Sequence, residues 1–246
     1  MNSARLISDK HHGPMNMAVD EALLLSAPRS GPTLRFYQWE EPTLSLGYFQ
    51  SAAERTEHEA SAGCPIVRRS TGGGAILHHL ELTYSFVIPL SQQDKSASEP
   101  LYFAFHETLI EALAELSVQA TLFPKQPFQP AGHLEPFLCF QRRSAGDVLM
   151  AGAKVCGSAQ RRQKEALLQH GSVLLRRSEF APELPGIADL TKAVLTAEKL
   201  AECWLPRLEM RLELSFQPGE LTSLERSTAE RLAEDRFGAD SWSSRR

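Results

Sequence analysis

Residues 147–160, DVLMAGAKVCGSAQ, set two apolar, β-rich runs on either side of a glycine, a pattern that folds back on itself as a hairpin. The Gly152-Ala153 pair suits a type II′ turn. A third run, ALLQHGSVLL (166–175), reads as a further strand crossing the core. A chain carrying this segment is committed to a sheet with antiparallel neighbours. TLRFYQW (33–39), TLSL (43–46) and LTYSFVIPL (82–90) supply more strand candidates, and PIVRR leads into a glycine triplet. Between them lie helical patterns. PMNMAVDEALLLSA (14–27) opens on a proline suited to a first turn. LYFAFHETLIEALAELSV (101–118) puts Phe105, Leu109, Ala112, Leu113 and Leu116 on one face.

The proline-rich stretch PKQPFQPAGHLEP (124–136) predicts an irregular loop. From about residue 190 the chain changes character. KLAECWLPRLEMRLELSF predicts a short helix and a strand, and LTSLERSTAERLAEDRF a terminal helix opened by Thr222 and Glu225 at capping-box spacing. The expectation is one catalytic domain over residues 1–246, with residues 190–246 as a strand-helix appendage.

A chain of 246 residues with 42% hydrophobic content can bury one sizeable core. Its net charge of −4 argues against nucleic-acid binding through bulk charge. No apolar run is long enough to span a membrane, and MNSARLISDK lacks a signal-peptide stretch. Cys64, Cys139, Cys156 and Cys203 show no CxxC spacing, so no metal site is expected. A monomeric cytoplasmic enzyme with reduced thiols is the resulting expectation.

RRSTGGGAILHH (68–79) removes three consecutive side chains, Gly72, Gly73 and Gly74. Neither common nucleotide loop accounts for it. The Walker pattern needs a Lys-Ser/Thr pair where Ala75 and Ile76 stand, and the dinucleotide fingerprint needs spaced glycines.

For chemistry, Cys139 and Lys154 stand out together. Taken singly, one is a buried small hydrophobe and the other a solvated turn lysine. Together they suggest a thiol held near a cation. A free thiol of pKa ~8.5 is only ~3% ionised at pH 7, whereas ~6.5 would make it roughly 75% thiolate. That change needs about 2.7 kcal/mol. Asp147 either orients a lysine or marks a strand start. His170, inside an apolar strand, reads first as a satisfied core histidine and second as a base. His78 reads as a base or a strand end, and His79 as a strand end facing water. Arg68 and Arg69 steer an acidic carrier, hold a carboxylate, or simply lie on the surface. Cys64, Cys156 and Cys203 read as structural.

RRSTGGGAILHH with LELTYS, GAKVCGSAQRR and LLQHGSVLL resembles the biotin/lipoate protein ligase superfamily, and the likeness spans nearly the whole chain. NMAVDEALL, PTLRFYQWEEPTLSLGYFQ and the terminal LTSLERSTAERLAEDRFGADSW are similar to the lipoate-ligase and octanoyltransferase branch. The resemblance implies an α/β fold (α+β type), a mixed sheet wrapped by helices, with a tunnel for a medium-chain acyl group. Gly72, Gly73 and Gly74 would line it, and side chains there would block it. Gly157, Ser158 and Ala159 would offer backbone N–H groups to a developing oxyanion. Arg69, His78, Tyr84, Ser85, His170 and Gly171 join them as substrate-binding residues. Cys139, with Lys154 fifteen residues later, is similar to the cysteine-dependent octanoyltransferases. The reaction implied moves octanoyl from octanoyl-acyl carrier protein to a lipoyl-domain lysine, as in glycine cleavage H protein or 2-oxoacid dehydrogenase E2. Cys139 is the nucleophile, Lys154 lowers its pKa, and no cofactor is needed. The alternatives are an ATP- and Mg-dependent lipoate or octanoate ligase, an amidotransferase between lipoyl domains, and a non-catalytic acyl-binding scaffold.

Overall fold

The structure is a computed structural model and describes residues 1–91, 97–125, 135–163, 165–191 and 193–245. The chain runs β1 (Asn2–His11), α1 (Gly13–Ser30), β2 (Thr33–Trp39), β3 (Thr43–Leu46), β4 (Ile66–Arg68), β5 (Ile76–His78), β6 (Glu81–Pro89) and α2 (Ser98–Glu115). It continues through β7 (Thr121–Leu122), β8 (Val148–Met150), β9 (Ala153–Gln163), β10 (Ala166–Leu174), α3 (Ile187–Leu190), α4 (Ala197–Leu212), β11 (Leu214–Pro218), α5 (Ser223–Leu232) and α6 (Asp240–Ser243). An eight-stranded mixed sheet has the order β11-β1-β2-β6-β10-β9-β8-β7, and β4-β3-β5 form a small second sheet.

Helices cover both faces of the large sheet, which is why its central strands are almost continuously buried. Successive side chains point to opposite faces. Phe36, Phe86 and Leu167 face α2 and α4, packing with Phe105 and Trp204. Tyr37, Val87 and Leu168 face α1 and α5. The small sheet has its own cluster, in which Leu44, Leu46, Ala75 and Leu77 meet Phe137, Leu138 and Phe140. Nine consecutive residues of α1, from Asn16 through Leu24, are buried, so that stretch of the helix is enclosed on every side.

Two expectations change here. The hairpin turn is not Gly152-Ala153. Met150 pairs with Ala153, so Ala151 and Gly152 are the central residues, with φ of 47° and 79°. Both are left-handed, the type I′ pattern, whose twist matches the flanking strands. The C-terminal segment is also no appendage. β11 extends the main sheet by pairing in parallel with β1, Asn2 opposite Leu214. Trp204 on α4 is fully buried in the main core and donates from Nε1 to Thr108 Oγ1 at 2.9 Å. Residues 126–134 of the proline-rich stretch lie outside the described residues.

Candidate active site

The glycine triplet and Cys139 come from distant segments and are stitched together by backbone. Ala75 N donates to Phe137 O at 3.0 Å and Cys139 N to Ala75 O at 2.7 Å. Cys139 heads a one-turn 3-10 helix, Cys139–Gln141, which turns its half-buried thiol towards Gly73. Gly73 has φ of +94°, and a methyl group on it would sit 3.0 Å from Arg69 Nη2 and 3.7 Å from Cys139 Sγ. A side chain at Gly74 would instead meet Phe137 O at 2.8 Å. At Gly72 the nearest atom is Phe49 Cδ2, at an ordinary 3.8 Å. The triplet therefore serves three different contacts, only two of them on the site side.

Cys139 opens on a cavity of about 320 Å³ between the two sheets. Arg69, Gly72, Gly73, His78, Lys154, Gly157, Ser158, Ala159, His170 and Gly171 all line it. Gly74, Tyr84 and Ser85 are not part of that lining. Gly74 offers its carbonyl to Arg69 Nη2 at 2.6 Å. Tyr84 hydroxyl is bonded to Ser158 Oγ at 2.6 Å, and Ser85 donates to Asp20 Oδ1 at 2.7 Å. Consecutive on β6, the two point to opposite faces of the sheet, Tyr84 into the cluster under α2 and α4 and Ser85 to Asp20 of α1.

Lys154 is buried, and its Nζ lies 2.9 Å from Asp147 Oδ2. Tyr102 hydroxyl and Ser144 N donate to the same carboxylate at 3.1 and 2.7 Å. Asp147 thus orients the lysine, the first of its two expected readings. Gly157 is bare for the same reason, because a methyl there would fall 2.3 Å from Lys154 Cε. Beyond Cys156, β8 no longer pairs with β9, which leaves the edge at Gly157–Ala159 beside the cavity.

His78, His79 and His170 are each hydrogen-bonded. His78 donates from Nδ1 to Glu81 Oε1 at 2.6 Å and accepts from Ser45 Oγ at 2.8 Å. Burial lowers its pKa against the pull of Glu81, so it stays neutral. His170 bridges Asp20 Oδ2 at 3.2 Å and Thr71 Oγ1 at 2.7 Å. Burial alone would raise the Asp20 carboxyl, but His170 and Arg35 outweigh it and hold it down. His79 is bonded to Ser178 Oγ at 2.9 Å and half-buried rather than open to water.

His106 on α2 escaped the sequence reading. It donates from Nδ1 to Gly146 O and accepts the Ser158 hydroxyl at Nε2, both at 2.6 Å. Burial holds its pKa at about 4 despite Gly146 and Asp147, so Ser158 meets a neutral ring. Its sequence signal is a single polar residue on the apolar face of a helix. Cys156, close to it and fully buried, is pushed up by burial and by Asp147 and remains a thiol. Among the described residues no group of three or more His, Cys, Asp and Glu is placed to hold a metal ion. No helix there is long and apolar enough to cross a membrane.

Residues 12–195 match the model of the lipoyl protein ligase A/B catalytic domain. The chain is 35% identical to the octanoyltransferase LipM of Kyrpidia tusciae, with 100% of both chains covered. It is 34% identical to the octanoyltransferase LipM of Geobacillus kaustophilus, with 94% of each covered. The fold is similar to a bi-partite lipoate protein ligase from Thermoplasma acidophilum, with TM-score 0.77, 22% identity, and 99% and 97% coverage. It is also similar to a lipoate-protein ligase A bound with ATP, with TM-score 0.76, 22% identity and 99% of each chain covered.

Proposed function

The chain belongs to the family of lipoyl protein ligase A/B catalytic domains, and we propose that it transfers octanoyl from acyl carrier protein to a lysine of a lipoyl domain through a thioester on Cys139. One observation carries the assignment of the nucleophile: the Cys139 thiol opens on the same cavity as Lys154 and Gly157–Ala159. The full-length similarity to octanoyltransferases supports the reaction.

In the first half-reaction the Cys139 thiolate attacks the donor thioester carbonyl. The carbonyl oxygen takes the negative charge, and the donor's thiolate leaves and takes up a proton. Lys154, fixed by Asp147, and the β9 edge place positive charge and N–H donors beside that oxygen. In the second half the neutral amine of the acceptor lysine attacks the acyl-Cys139. Cys139 leaves as thiolate, and the amine's proton is released. Exchange between thioesters is near-isoenergetic and the amide is more stable, so a thioester donor needs no ATP.

Mixing the protein with octanoyl-acyl carrier protein alone should add one hydroxylamine-labile octanoyl group, mapped by peptide mass to Cys139. Cys139→Ala should lose the adduct and the transfer to apo lipoyl domain together. Full turnover by Cys139→Ala, or transfer only from free octanoate with ATP, would replace this reading with the ligase one.

A further inference from the structure

We propose that the Arg69 guanidinium is a second positioning cation of the reaction, holding Cys139 as the thiolate; this rests on Cys139 being the nucleophile. The other basic side chains around the thiol are already engaged. Lys154 on β9 is paired with Asp147, and Arg142, on the loop that carries Cys139, is paired with Glu135. His170 on β10 faces Asp20, and His78 on β5 faces Glu81. Every one of these has an acid partner.

Arg69 has none among the described residues. Its Nη1 donates to Ser45 O at 2.9 Å and Ser45 Oγ at 3.1 Å. Its Nη2 donates to Gly72 O at 2.9 Å and Gly74 O at 2.6 Å. All four acceptors are neutral, and Nε is buried without a partner. The side chain is 2% exposed. A buried charge with only neutral acceptors is costly, and the molecule gains by placing an anion beside it. The nearest ionisable group across Gly73 is Cys139: Arg69 Nη2 and Cys139 Sγ both lie within 4 Å of the point where a Gly73 side chain would begin. Burial lowers the Arg69 pKa to about 10, with Cys139 acting in the opposite direction and Arg142 and Arg68 adding to the fall. The bare Gly73 keeps that gap open, and the Ser45-His78-Glu81 chain fixes the guanidinium from behind.

The test is the pH profile of Cys139 alkylation by iodoacetamide, read as modified peptide by mass. The wild-type midpoint should lie at least one unit below the ordinary thiol value of ~8.5. Arg69→Gln should raise it by about one unit or more, slowing alkylation at pH 7 about tenfold with the gap closing by pH 9. Arg69→Lys should retain part of the shift, and Lys154→Met should move the midpoint by less than Arg69→Gln. A wild-type midpoint at ~8.5, or an Arg69→Gln midpoint equal to wild type, overturns the proposal. If Arg69→Gln does not fold, Lys154→Met decides: a rise of a unit or more assigns the thiolate to Lys154, and a retained low midpoint supports Arg69. The wild-type octanoyl adduct is scored separately. Its absence from Cys139 removes the functional reading, whereas its presence with an Arg69-independent profile removes only this inference.

Discussion

At the scale of single residues, the glycine triplet separates into unequal members. Gly73 carries the positive φ and the gap between guanidinium and thiol, Gly74 a close backbone contact, and Gly72 neither. Gly73→Ala should therefore cost roughly 1 kcal/mol in backbone strain and lower octanoyl transfer tenfold or more, because the new methyl separates Arg69 from Cys139. Gly72→Ala should transfer octanoyl at near wild-type rate; equal losses in both variants would show that the loop acts as a unit. The sequence announces the triplet and, through its family resemblance, Cys139 and Lys154. It does not announce the division of labour. The partners of Gly73 are Cys139 and an arginine whose acceptors are three carbonyls and one hydroxyl, and carbonyl positions have no letter in a sequence. Asp147 was legible because it sits in the hairpin with Lys154. Asp20, which bonds His170 across 150 positions, was not.

At the scale of elements, one carboxylate ties three of them. Glu225 receives Arg5 of β1 at 2.7 Å on each oxygen and Ser26 of α1 at 2.6 Å, while capping α5 through Thr222 N at 2.8 Å. Burial would raise its pKa, but the Arg5 and Ser26 bonds dominate and bring it to about 2. A depressed folded-state pKa contributes stability above the unfolded value and loses it as pH falls through the folded one. The wild-type protein should thus be more stable than Glu225→Gln at pH 7, with the difference in thermal midpoint shrinking from about pH 4.5 down towards 2. A difference independent of pH over that range would assign the effect to packing instead. The cap itself was readable, since Thr222 and Glu225 are three residues apart on one helix and both halves of the box form. The tie to Arg5 was not, being a contact over 220 positions. The hairpin is the opposite case: strands and neighbours were legible, and the turn slipped by one residue because alanine gives no hint of a left-handed backbone.

At the scale of the whole molecule, the far end of the chain braces the loop that forms the site. Trp242 Nε1 donates to Arg68 O at 2.8 Å, and Arg68 Nη2 donates back to Ser243 O at 2.9 Å. Arg245 lies over the Tyr48 and Trp242 rings, 4.5 Å from each centroid. Trp242→Ala removes these contacts at the strand that leads into Arg69. It should lower the thermal midpoint by a few degrees, as expected for about 1–2 kcal/mol in a chain of this size, and weaken octanoyl transfer several-fold. Unchanged transfer with the lowered midpoint would confine the brace to stability. Mixed α/β layering and most elements could be read from periodicity alone, whereas the order of strands could not, because β1 takes neighbours from both ends of the chain. That last pairing reaches beyond catalysis to synthesis. While the polypeptide emerges from a ribosome, the outer edge of β1 has open N–H and C=O groups until Leu214–Pro218 arrives. So distant a contact is slow to close. The sheet can be completed only after residues 214–218 have been made, and during that interval the nascent first strand is the segment most exposed to chaperones and to aggregation.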